Sequence, residues 1–125
     1  VWRATFEVPA LTGAVVSALT EALVRINCAW LRAEPSPPRL YSSAVRYRRE
    51  PTGKEKWLSI PLVLARGQGD CEDLCAWRAA ELQVLDEEPA TVVWRRRQTP
   101  RGALFHILVR RADGSIEDPS RILGM

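Results

Sequence analysis

Lysine is scarce in this chain, histidine occurs once, and cysteine is too rare to staple a fold. Of 18 basic residues in 125, only Lys54 and Lys56 are lysine; the others are arginine. The three cysteines, Cys28, Cys71 and Cys75, are odd in number, which argues against a disulfide framework and suits a reducing compartment. Seven glycines and nine prolines are too few for a collagen-like or low-complexity chain. No run of about eighteen apolar residues occurs, so no membrane partner is expected. The most apolar stretch, from Leu11 to Leu31, is interrupted by Ser17, Thr20, Glu21, Arg25 and Asn27. No secretory leader pattern is visible.

What is present is ordinary globular material. At 14.1 kDa, with 46% hydrophobic and 26% charged residues, the chain is the size of a single domain, 1–125, that can close a core. The net charge is +3. Two arginine clusters stand out, Arg46, Arg48, Arg49 and Arg95, Arg96, Arg97. Such clusters can neutralise phosphates, but the excess is small and no nucleic-acid motif accompanies it. A solvated strand face explains them more simply, and no nucleic-acid partner is expected.

Residues 2–8 alternate in polarity, with Trp2, Ala4, Phe6 and Val8 on one side, as a half-buried strand does. Pro9 then opens a helix with an apolar stripe of Leu11, Val15, Leu19, Leu23, Ile26 and Trp30. The prolines at 35, 37 and 38 end it. The strand and helix make up residues 1–33. Residues 34–66 read as a long ordered loop with a short extended piece around Val45 and Tyr47, and one or two helical turns near 59–65. From residue 67 the pattern sharpens. Asp70 caps a second helix running to about Leu85, with Asp73 completing a box-like start. Strands follow at 91–97, 103–111 and 115–118. This order predicts an α+β fold, with helices packed on one antiparallel sheet.

The most informative segment is Gly67-Gln68-Gly69-Asp70-Cys71-Glu72-Asp73. It puts a cysteine in the first turn of a helix, where unpaired N–H groups and the helix dipole favour thiolate and can receive an oxyanion. Asp70, Glu72 and Asp73 oppose this by raising the thiol pKa. Capping and surface roles account for Glu72 and Asp73. His106, in an apolar strand, is the candidate base, and Asp118 the candidate group to orient it. The turn at Asp113-Gly114 decides whether they meet. A two-residue turn pairs 118 with 109 and points Asp118 away from His106. A three-residue turn over 112–114, with Gly114 left-handed, pairs 118 with 108 and puts Asp118 within reach.

The Gly69-Asp70-Cys71-Glu72-Asp73 motif, followed by a strand histidine and an aspartate after an Asp-Gly turn, resembles the transglutaminase-like superfamily of cysteine acyl-transfer enzymes. Tyr47, Glu50, Trp57 and Pro61 upstream look like its small bacterial and phage-borne members. The resemblance covers about residues 40–120. It implies a papain-like core with nucleophile Cys71, base His106 and orienter Asp118, and a cytoplasmic or virion-associated setting. Amide or isopeptide hydrolysis of a protein or peptide substrate is the expected activity. Amide transfer to an amine and an inactive adaptor domain are the alternatives. Gln68, Trp57 and Tyr47 are the candidates for the second oxyanion donor. No cofactor is expected. A metal held by Cys71, Cys75 and His106 ranks well below the triad, because no second cysteine pair exists. The oligomeric state is open.

Overall fold

The computed structural model describes residues 5–7, 12–51 and 56–125. The outer parts of the opening strand and the proposed helix start at Pro9 and Leu11 lie outside the described residues. The fold is α+β. Strand β1 (Thr5–Glu7) is followed by helix α1 (Gly13–Ala33), a 3₁₀ turn at Leu40–Ser42, strands β2 (Arg46–Tyr47) and β3 (Lys56–Leu58), and helix α2 (Ile60–Arg66). Strand β4 (Gln68–Gly69) leads into helix α3 (Cys71–Leu85); strands β5 (Thr91–Thr99), β6 (Gly102–Arg110) and β7 (Ile116–Glu117) and helix α4 (Pro119–Ile122) complete the chain.

The expectation of one antiparallel sheet is corrected. The antiparallel sheet β5-β6-β7 is joined by two small pairs, antiparallel β1-β3 and parallel β2-β4. Each pair takes one strand, β3 or β2, from the stretch read as a long loop, where strands of two or three residues are too short to carry a visible period. Pro119 opens α4 behind the Asp118 cap, where its missing N–H costs nothing.

Helix α3 is the centre of the molecule, with α1 and β6 packed against it. Ala76, Ala79 and Ala80 are fully buried, and their small side chains let the neighbours approach closely. Helix α1 is 21 residues long with a mean hydropathy of 1.4, long and apolar enough to cross a membrane. Its inward face nevertheless packs into the core as Val16, Thr20, Leu23, Val24, Asn27, Cys28, Trp30 and Leu31. Leu23 and Trp30 of the expected stripe are buried, whereas Val15, Leu19 and Ile26 are half-buried, so the buried face is shifted towards Val16, Val24, Asn27 and Cys28. The polar member of this face is Asn27. It is fully buried, and its Oδ1 accepts a hydrogen bond from the Ile60 N–H at 3.0 Å, tying α1 to the start of α2. Cys28 is a core residue that donates to Gln83 Oε1.

In the β5–β6 hairpin, Val92, Trp94, Phe105, Ile107 and Val109 join the core, while Arg95 pairs directly with His106. Trp94 and Phe105 meet edge to face at 5.1 Å. The β6–β7 connection is the three-residue form. Arg111 N–H donates to Ser115 O at 2.8 Å, and Gly114 has φ +87°. Only glycine takes that backbone conformation without strain. Val109 pairs with Glu117 and Arg110 with Ile116. Carried one step on, that register puts Asp118 beside residue 108, diagonal to His106.

Candidate active site

Cys71 begins α3, and the capping box fixes its position. Asp70 Oδ1 accepts from the Cys71 N–H at 2.7 Å, and Asp73 Oδ2 accepts from the Asp70 N–H at 3.1 Å. Asp73 Oδ1 also takes the Leu58 N–H at 2.7 Å, so one fully buried carboxylate joins β3 to the helix start. Asp70 Oδ2 holds the Glu50 N–H at 2.9 Å. Gly69 suits this packing, since a Cβ there would lie 3.1 Å from Asp73 Cβ and 3.2 Å from Leu74 Cδ2 and would press both aside.

These bonds correct two expectations. The Cys71 amide is taken by Asp70 and so is not the oxyanion donor. Glu72 and Asp73 are not surface residues, with exposures of 5% and 0%. A local motif could not reveal this, because both are covered by segments distant in sequence.

His106 Nε2 and Asp118 Oδ2 are 2.9 Å apart, with the pair partly buried. This contact occupies Nε2 and leaves Nδ1 as the other ring nitrogen. The Gly114 turn creates the pair, and α4 holds it: Asp118 Oδ1 also accepts from Arg121 N–H. Cys71 and His106 line one open cleft of about 530 Å³, with Tyr47 and Trp57 in its wall. The peptide following His106 touches both cysteines of α3. The Ile107 backbone hydrogen-bonds Cys71, and Cys75 Sγ donates to Ile107 O at 3.2 Å. Cys75 thus packs behind Cys71, and this bond directs its thiol away from the metal set considered with Cys71 and His106. Asp70, Cys71 and Glu72 do bring donor atoms within 4.8 Å of one another. The Asp70 oxygens are already engaged as the helix cap.

The resting thiol is protonated. Burial pushes Cys71 well above the usual thiol range, and the Glu72 and Asp70 carboxylates push it further. Its Sγ donates to Glu72 Oε2 at 3.5 Å; among the described residues it makes no hydrogen bond to His106. Tyr47 is pushed up to about 12, by burial first and then by Asp70 and Cys71, so its hydroxyl stays protonated.

Of the three oxyanion candidates, the structure brings two to the cleft. Gln68 lies instead on an adjoining cavity of about 370 Å³, where its Oε1 accepts from Arg48. Trp57 is 1% exposed, and its buried indole Nε1 has no hydrogen-bond partner among the described residues. A buried donor without a partner costs roughly 1–3 kcal/mol. Trp57 is therefore a core aromatic with a spare donor. Neither a family model, nor a curated protein, nor a solved structure matches this chain.

Proposed function

We propose that this domain is a cysteine-dependent amidase, hydrolysing a peptide or isopeptide bond by way of a thioester. The observation that carries the reading is the His106–Asp118 pair at 2.9 Å on the wall of the cleft that holds Cys71. Order and chemistry support a papain-like, transglutaminase-like core. Cys71 Sγ attacks the carbonyl carbon while its proton passes to His106 Nδ1. Asp118 holds the ring and stabilises its cation. The Trp57 indole N–H donates to the oxyanion. Collapse breaks the C–N bond, and the amine leaves with the proton from His106. Water, deprotonated by His106, then cleaves the thioester and restores the thiol. An amine in place of water gives transfer instead of hydrolysis.

Because the resting thiol is protonated and bonded to Glu72, proton removal belongs to the attack step and not to a standing ion pair. The same observation favours a second reading, a non-catalytic adaptor domain that retains the fold.

Acylation by p-nitrophenyl acetate tests the choice without knowledge of the substrate. The wild type should release p-nitrophenol in a burst and carry one acetyl group on Cys71 by intact-mass and peptide mapping. Cys71→Ser should give no burst, and His106→Ala a burst slowed by about a hundredfold or more. Equal acylation of wild type and His106→Ala would establish the adaptor reading.

A further inference from the structure

We infer that the cleft selects acidic peptide segments, with two or more aspartate or glutamate side chains near the bond attacked. As a statement about substrate, this rests on the amidase reading above; as a statement about binding, it stands on charge placement alone.

One wall of the cleft is the outer end of the β5–β6 hairpin, which contributes Arg95, Arg97 and Arg101, and Arg49 faces in from the loop after β2. All four side chains are exposed, and none has an ion-pair partner among the described residues. The acids of the cleft lie on its floor and are already engaged. Glu50 binds Arg66 and the Lys56 N–H, Asp70 caps α3, and Glu72 accepts the Cys71 thiol. With Arg96 as a fifth, the arginines lining the cleft outnumber these three acids, so the net charge facing an incoming chain is positive.

The spacing fits a peptide. Arg95 stands directly opposite His106, and Arg97 opposite Leu104, so both arginines project from the sheet face that carries the candidate base. Residues two apart on a strand are about 7 Å apart, and so are alternate side chains of an extended peptide. A chain lying along the hairpin with its carbonyl at Cys71 thus offers alternate carboxylates to Arg95 and Arg97. Planar guanidinium groups suit bidentate pairing with carboxylates.

The test uses Cys71→Ser protein and fluorescein-labelled decapeptides, one Glu-rich, one Ser/Gly-rich and one Lys-rich, with an oligothymidylate of matched charge. Fluorescence anisotropy at low and physiological salt reads affinity. The Glu-rich peptide should bind at least roughly tenfold tighter than the neutral one, and Arg95→Glu/Arg97→Glu should abolish the difference. Arg110→Glu, a single charge reversal on the same sheet but outside the cleft, should leave it intact. In wild-type protein, saturating Glu-rich peptide should protect Cys71 from iodoacetamide. Equal binding of all peptides, oligothymidylate binding as tight as the acidic peptide, or binding without protection would each overturn the inference. Acidic-peptide binding with protection but no acylation burst would leave this inference standing and remove the amidase reading. A burst with no acidic preference would do the reverse.

Discussion

At the scale of single residues, the chemistry turns on which groups compete for the Cys71 thiol and its amide. The sequence placed Cys71, His106 and Asp118 in their order and identified the negative charges that oppose thiolate. It did not reveal that Glu72 is buried against the thiol, since a charged residue in an exposed-looking helix start carries no mark of what covers it. Glu72→Gln removes the nearer carboxylate charge. The rate of Cys71 alkylation against pH should then move to lower pH, because less negative potential opposes ionisation. An unchanged profile would mean that the Glu72 charge is not felt at Sγ. Trp57 was visible only as one of several aromatics; that its indole N–H is buried without a partner among the described residues, as is that of Trp77, and that its ring lines the cleft are properties of the fold. Trp57→Phe deletes the donor and leaves a smaller aromatic ring. It should slow acylation by p-nitrophenyl acetate by roughly ten- to a thousandfold while the protein stays folded at a lowered melting temperature, the cost of the core volume removed.

At the scale of elements, the start of α3 and the β6–β7 turn set the site, and both were legible because their signals are local. An aspartate cap with a second aspartate three residues on is a short-range instruction, and so is a glycine that must be left-handed. The burial of Asn27 on α1 and the parallel β2–β4 pair were not legible, because each depends on a partner far along the chain: Ile60 for Asn27, and residues 68–69 for residues 46–47. Gly114→Ala meets no atom within 4 Å, so its cost is the backbone conformation alone. It should destabilise the protein by about 1 kcal/mol and loosen the register that delivers Asp118 to His106. The check is a denaturation midpoint together with the His106 ring resonances. A variant with wild-type stability would contradict the assigned turn.

At the scale of the whole molecule, one charged network joins α3, the 3₁₀ turn and β7. Arg78 of α3 bonds Glu81 and Glu117, Arg111 bonds Glu117 and Glu88, and Tyr41 bonds Glu117 beneath the Arg78 guanidinium. Glu81, 1% exposed, also accepts the Leu40 N–H at 2.7 Å. Arg78→Ala leaves that buried carboxylate with only the Leu40 N–H and the longer Arg39 pair at 3.9 Å, and should cost roughly 1–3 kcal/mol. Burial pushes Glu117 up, but its bonds to Arg78, Tyr41 and Arg111 outweigh this and leave it below its ordinary 4.5. A folded-state pKa below the unfolded one gives stability that is present above pH 4.5 and lost as pH falls through the folded value. Chemical denaturation between neutral and acid pH should show that loss, and Glu117→Gln should flatten it. The network fastens β7 and so stands behind Asp118, yet the claim on which the functional reading depends is that His106 acts on the Cys71 thiol. The most direct measurement is the rate of Cys71 alkylation by iodoacetamide against pH, in wild type and in His106→Ala. The account predicts that the wild-type profile lies at lower pH than that of the variant, with the same limiting rate in alkali. Superimposable profiles would contradict it.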